Sequence, residues 1–384
     1  MPLPHYVTSF DPDDPATLAA LVGDAQVVAI GENDHHIREF GELRLRLVQQ
    51  LVDELGFTVV AMESGHAEGL LVDAWVQGGP GDPDELAEAG FTFRFGDPPE
   101  VRALISWLRA HGGVTFAGLD VPGSGGDPRP ALDRVTGGDP GLVDAAIAAV
   151  SAYAGANNGV ASDRYAQLGT AERDAATAAL ARLILQLDAD GADPGTRHLA
   201  LGALRLDEQL RELTALIAGE ATGRVRSSRD VYMADTVRFL QRRHPGARIV
   251  LLAHNGHLQR IPYPLIPGVT AASAGTYLAR DLGADYRVLG VTAIGGSTTE
   301  ARLDPAARHG IAVDARPLDP PAAGSVEEAL GALDRPVLLD FRPARGAAGP
   351  TGIRHAHLHA EVDVLAAFDA LVCLPEMHPS DLGG

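Results

Sequence analysis

The segment Gly31-Glu32-Asn33-Asp34-His35-His36-Ile37-Arg38-Glu39-Phe40 sets a glutamate, an aspartate and two histidines directly behind the apolar run Val27-Val28-Ala29-Ile30. A buried strand that ends in ionisable groups and passes into a helix is costly to fold unless those groups are used. A carboxylate beside an imidazole sets its tautomer and stabilises its cation, so His35 is a candidate general base near neutral pH with Glu32 as its partner. The same arrangement recurs. Glu63 follows Ala61-Met62, Asp120 follows Gly118-Leu119, and His254 follows Leu252-Ala253, with His257 close behind after the turn-forming Asn255-Gly256. In open α/β sheets the carboxyl ends of parallel strands face the ligand crevice. Glu32, Glu63, Asp120 and His254 are therefore expected to converge at one edge.

What is missing narrows the chemistry. No Gly-x-Ser-x-Gly elbow occurs, Ser64 lacks the flanking glycine, and the single cysteine, Cys373, lies in an apolar run that reads as core. Gly123-Ser124-Gly125-Gly126 has no following Gly-Lys-Ser/Thr, so it is not a phosphate loop. Activated water is the nucleophile that remains. A histidine base polarised by carboxylates, with an arginine or second histidine facing the oxyanion, suits hydrolysis of an ester. Glu32, His35, Glu63, His254 and His257 are also acceptable ligands for a divalent ion, and His355-Ala356-His357-Leu358-His359 could chelate if it were a strand, but no His-Glu-x-x-His spacing appears. The reading is of a site without metal or cofactor.

The elements that must hold these groups are legible as periodicity. β-rich runs stand at Val27 to Ile30, Thr58 to Met62, Val114 to Leu119, Arg248 to Leu252, Tyr286 to Thr292 and Pro336 to Asp340, with helical patterns between them. That alternation predicts an α/β fold with a central, largely parallel or mixed sheet flanked by helices. After His36, Phe40, Leu43, Leu47, Val48 and Leu51 form one apolar helical stripe, and Arg44 falls inside it. A guanidinium on a buried face needs a carboxylate, and Glu32 and Glu63 are the candidates. Residues 127–228 carry helical spacing around Leu142 to Ala154, Ala171 to Leu187 and Leu199 to Ile217 and no convincing strand. They are expected to form a helical insertion making one side of an open cleft, with 1–126 and 229–384 as the α/β catalytic core. The Gly/Pro/Ala-rich pieces near 295–325 and 343–353 read as loops.

With 31 Lys+Arg against 51 Asp+Glu, the 384-residue chain has a formal net charge of −20, which disfavours nucleic acid and anionic membranes and favours a neutral or cationic small molecule. Met1-Pro2-Leu3-Pro4-His5 has neither a basic start nor an apolar h-region, and no uncharged stretch approaches the length of a membrane span. A soluble cytoplasmic protein is expected, its oligomeric state unknown.

The residues in this order resemble the erythromycin esterases and their relatives. The pattern strand, Gly-Glu-x-x-His, Glu-Phe and Arg is met by Gly31, Glu32, His35, Glu39, Phe40 and Arg44; its continuation by Gly56, Phe57 and Glu63, then Gly118 and Asp120. Arg229, Asp230, Met233 and Ala234, followed by Ala253, His254, Asn255 and His257, match a later block, and Gly275-Thr276-Tyr277-Leu278 and Phe368 to Val372 are similar to further family segments. The resemblance implies a metal-independent hydrolase that opens a macrolide lactone, with His35 as base for water, Glu32 and Glu63 as supporting carboxylates, and His254 and Arg44 assisting. His36, Asp34, Asp120, Arg229 and His257 are read from their placement as binding substrate or supporting the site. Asn33-Asp34 and His36 are more polar than the small residues expected around the family histidine, and Leu252 stands where a Trp is common. Those departures point to a substrate other than the family's best-known one. Two other uses of such a site are a biosynthetic cyclisation, elimination or acyl transfer without water, and non-catalytic binding of a small molecule.

Overall fold

The computed structural model describes residues 9–10, 14–304, 306–307 and 310–382. The residues read for a targeting segment, Met1 to His5, lie outside them. In chain order the strands are β1 Ser9–Phe10, β2 Val27–Ile30, β3 Phe57–Gly65, β4 Thr115–Asp120, β5 Gly223–Val225, β6 Arg248–Leu252, β7 Tyr263–Ile266, β8 Val269–Ala271, β9 Tyr286–Leu303, β10 Ile311–Pro317, β11 Val337–Asp340, β12 Gly352–His355, β13 Leu358–Glu361 and β14 Ala370–Met377. The main sheet runs β1-β11-β14-β9-β2-β6-β3-β4, with β10 paired to β9. From β14 to β4 every neighbouring pair is parallel, and β1, β11 and β10 are added antiparallel. All six strands read from the sequence are present, and the fold is the expected mixed α/β sheet flanked by helices.

Strand alternation divides the core into two layers. Val28, Ile30, Val60, Met62, Val250 and Leu252 pack on one face with the helices Arg38–Asp53 and Pro99–His111. Val27, Ala29, Val59, Ala61, Ile249 and Leu251 pack on the other, with Ser228–Arg243 and Ala274–Leu282. A sheet covered on both faces has strands apolar throughout, which is why the short runs were conspicuous in the sequence. The helix Arg38–Asp53 buries its stripe as expected, and Arg44 is buried within it.

Residues 140–217 are dominated by the helices Pro140–Val150, Asn158–Gln167, Thr170–Ala189 and Pro194–Ile217, which close around Tyr153, Tyr165, Leu180 and Leu206. Tyr232 of the helix Ser228–Arg243 completes that cluster. Two expectations fail. Within 127–228 a short strand, β5, pairs with β8. The stretch near 295–325 is not all loop: β9 continues to Leu303 and turns back as β10, so 297–303 and 311–317 form a two-stranded ribbon, while Gly295 and Gly296 still pair with β14. Its Gly-, Ser- and Thr-rich start hides the alternation, because the ribbon leaves the sheet and has no second apolar face to bury. Among the described residues, no helix is long and apolar enough to cross a membrane.

The β2 end is fixed by a close approach. Gly31 N donates to Leu289 O of β9 at 2.8 Å, while the side chain of Asn255 spans to β9 through Val291, donating from Nδ2 at 2.8 Å and accepting at Oδ1 at 3.1 Å. A Cβ on Gly31 would lie 1.9 Å from Asn255 Oδ1. Gly31→Ala is therefore expected to destabilise the protein by about 1–3 kcal/mol in urea unfolding. Unchanged stability would contradict this packing.

Candidate active site

Because β2, β6, β3 and β4 are consecutive in the sheet, the groups at their carboxyl ends line up. Glu32, His254, Glu63 and Asp120 all lie at this edge and are buried. Two clusters of carboxylate and cation result. In the first, Glu32 Oε2 pairs with Arg44 Nη1 at 2.6 Å and Glu32 Oε1 meets His35 Nδ1 at 2.8 Å. Arg44 also donates to three strand-end carbonyls, Ile30 O, Gly31 O and Ala253 O, at 3.3, 3.2 and 2.8 Å. Of the two carboxylates considered for Arg44, Glu32 is the partner.

Glu63 belongs to the second cluster. Its Oε1 lies 2.9 Å from Arg229 Nη2, 3.4 Å from His257 Nε2 and 3.8 Å from His35 Nε2, while Oε2 accepts the backbone N–H of His254 at 2.6 Å. Arg229 also grips Asp120 through Nε at 2.9 Å and Nη2 at 2.5 Å. His257 is held from behind, its Nδ1 2.8 Å from Asp230 Oδ1. Asp230, absent from the site residues read from the sequence, further accepts from Ala274 N and Ser227 Oγ. The sequence showed it only as one position of the family block Arg229, Asp230, Met233 and Ala234, with no role attached; Ser227, three residues earlier, caps its helix.

His35 is the histidine that joins the two clusters. Burial opposes its charge, but the carboxylates of Glu63 and Glu32 prevail and push its pKa up to about 9. Burial likewise opposes charge on Glu63 and Glu32, yet His257, His35 and Arg229 hold Glu63, and Arg44 with His35 holds Glu32, below the usual carboxylate range. His257 is raised, Asp230 and Glu63 outweighing its burial. His35 keeps 30% of its side chain exposed against 3% for Glu63, so it is the group of the pair presented to solvent. With Nδ1–H donated to Glu32, the neutral ring carries its lone pair on Nε2.

His254 has a different place from the assisting role read for it. Its Nε2 donates to Asn33 O at 2.9 Å and its Nδ1 accepts from Gly256 N at 3.0 Å, capping the turn of helix Asn255–Leu258. Burial and the neighbouring His355 and His35 keep it neutral. Both ring nitrogens are committed to backbone, so His254 forms a wall, edge-on to His35 with ring centroids 5.4 Å apart. Asp34 is also committed, taking Thr298 Oγ1, Thr299 N and Thr299 Oγ1 on one oxygen and His35 N on the other. It fastens the loop to the ribbon. His36 is bent into the left-handed region at φ 58°, and burial beside His35 pushes its pKa down to about 3.

Of these groups, Asp34, His35, His36, Glu63, Arg229, His254 and His257 floor a cleft of about 560 Å³. Phe93 and Phe95 form one side, the ribbon residues Ala301, Leu303, Ile311 and Val313 another, and Asn158 enters from the helical segment. The phenyl rings went unnoticed in the sequence because nothing in Phe91 to Phe95 distinguishes a cleft wall from core. His355, His357 and His359 do not share a strand face: β12 and β13 are joined by a turn at Ala356, His355 packs on His254 at 4.4 Å, and His359 accepts from Ala322 N. Among the described residues, no group of three or more His, Cys, Asp or Glu is arranged to hold a metal ion. A cation at the floor would have to displace Arg44, Arg229 or His257 from carboxylates they already neutralise.

The model of the erythromycin esterase family matches residues 52–377. The chain belongs to the erythromycin esterase family. Two relatives from Escherichia coli extend the likeness over nearly the whole length: erythromycin esterase type II, 29% identical over 96% of this chain and 94% of that protein, and type I, 27% identical over 93% and 92%. The fold is similar to that of a mutant erythromycin esterase, EreC, in its open conformation, with a TM-score of 0.79, 24% identity, and coverage of 97% of this chain and 95% of that one. In this family member the segment carrying Glu32, His35 and Arg44 precedes the stretch matched by the family model, and the two whole-length relatives cover most of the chain.

Two measurements check the electrostatics. Arg44→Ala leaves Glu32 buried without its counter-ion and is expected to cost about 3–5 kcal/mol in denaturant unfolding; a loss under about 1 kcal/mol would contradict the pairing. Glu32→Gln removes one carboxylate that raises His35, so the His35 titration should move down from about 9 toward its ordinary value. No movement would mean that Glu32 does not set it.

Proposed function

We propose that this protein, an ester hydrolase of the erythromycin esterase family, opens the lactone of a macrolide or a similar amphipathic natural product with water, His35 acting as the base. The observation that carries this reading is the His35 imidazole, anchored at Nδ1 by Glu32, with Nε2 3.8 Å from Glu63 Oε1 and the partly exposed ring lining the cleft. Nε2 takes a proton from water, the hydroxide oxygen bonds to the acyl carbon, and the acyl–alkoxide bond then breaks, with the alkoxide receiving the proton back from His35. Glu32 stabilises the imidazolium between these transfers. Arg229 and His257 supply positive charge on the floor for the oxyanion. Arg44 and Asp120 act behind them by fixing Glu32 and Arg229.

The cleft walls support a bulky substrate with one apolar side. Leu303 pairs with Ile311 and Ala301 with Val313 across the ribbon, so period-two alternation puts all four on one face. Leu303 is 57% exposed, an apolar side chain left uncovered beside the floor. Residues 127–228 serve as the helical side of this cleft, a role supported by Asn158 in its lining. Macrolides enter the proposal from the two E. coli relatives, whose names are erythromycin esterases.

Incubation with a panel of macrolides and simpler lactones should give products heavier by one water. His35→Ala should lower kcat/KM by about 100- to 10,000-fold. In the wild type, kcat/KM should rise with pH through a limb near 9, because the base form of His35 appears only above its raised pKa. Products of unchanged mass, or full activity in His35→Ala, would overturn the reading.

A further inference from the structure

Asn33, Thr292, Glu327 and Arg354 are each no more than 1% exposed, and none belongs to the floor of the cleft. Glu327 sits behind the sheet edge on the helix Val326–Leu330, where a buried carboxylate is costly unless it is hydrogen-bonded and used. Its Oε1 accepts from Thr292 Oγ1 of β9 at 2.5 Å and from Arg354 N of β12 at 3.0 Å. The guanidinium of Arg354 donates elsewhere, to the carbonyls of Ala293, Ile294 and Asp319.

The direction of these bonds is forced. A hydroxyl has one proton, so once Thr292 donates it to a carboxylate its lone pairs face other donors. Asn33 Nδ2 fills that place at 3.0 Å. The side chain of Asn33 is thereby locked, and its main-chain carbonyl is held where it accepts from His254 Nε2 at 2.9 Å and Ala356 N at 2.7 Å. His254 in turn packs edge-on against His35 on one side and His355 on the other.

We propose that Glu327 is a positioning residue for the catalytic site, acting through Thr292 and Asn33 to hold the His254 ring against His35. This rests on the reading of His35 as the base. It gives Asn33 a structural function in place of the substrate reading of its polarity, and it places the controlling carboxylate on a helix that does not line the cleft. The relay holds the Asn33 carbonyl that accepts Nε2–H of His254, and so keeps that neutral ring as a wall edge-on to His35.

The test uses Thr292, whose hydroxyl can be removed without changing its shape. Thr292→Val should lower kcat by about 10- to 100-fold on an ester that the wild type hydrolyses, with KM within about twofold, because a misplaced base costs rate and not binding. In histidine-15N-labelled protein, the protected Nε2–H signal of His254, assigned by its loss in His254→Gln, should disappear in the same variant. Thr292→Ser keeps the hydroxyl and should retain both. Val326→Ala, a core change on the Glu327 helix, controls for lost stability and should leave kcat and the signal intact. Wild-type kcat in Thr292→Val, or a fall in kcat with the His254 signal unmoved, would overturn the relay. If His35→Ala instead stays active, the base assignment fails while the His254 signal still reports whether the relay exists.

Discussion

One carboxylate, Glu32, is shared between a guanidinium and an imidazole, and the site is built around that division. Its Oε2 closes a buried ion pair with Arg44, which needs no water to stay ionised, and its Oε1 is left to hold His35. Arg44 simultaneously ties together the ends of β2 and β6 through carbonyls of Ile30, Gly31 and Ala253. The charge that prepares the base is thus also part of what joins the strands beneath it. Removing either partner leaves the other buried and uncompensated, so site and fold are coupled energetically.

The loop that carries the base is clamped residue by residue by distant parts of the chain. Asn255 N holds Glu32 O, His254 and Ala356 hold Asn33 O, Thr298 and Thr299 hold Asp34, and Ser380 N holds His36 O. Ile37 bridges Pro379 and Arg38 N donates to His378 O, so the end of β14 straps the loop as it enters its helix. This explains how His36 can be kept at φ 58° without glycine: the surrounding bonds outweigh the modest cost of the left-handed region. A base on such a loop is positioned as firmly as one on a strand.

Much of this was legible because polarity at strand ends is rare and therefore conspicuous. Glu32, Glu63, Asp120 and His254 could be placed at one edge from sequence since each terminates an apolar run, and Arg44 stood out against its own helical stripe. Partner choice was not legible. Whether Arg44 meets Glu32 or Glu63 depends on strand order, and strand order places β6 between β2 and β3, which local sequence does not state. The commitment of His254 was hidden for another reason: its partners are backbone groups of Asn33 and Gly256, which leave no side-chain signature. The ribbon was missed because its apolar residues, Ala301, Leu303, Ile311 and Val313, face a cleft and not a core, so the run is short and weakly alternating.

The account stands on His35 being charged by its two carboxylates in the resting protein and becoming a base above that pKa. Direct NMR titration of the His35 ring in histidine-13C-labelled protein, assigned with His35→Gln, measures this most directly. The structure predicts a midpoint near 9. A midpoint near the ordinary value of about 6.5 would show that Glu32 and Glu63 do not act on the ring, and would contradict the central claim.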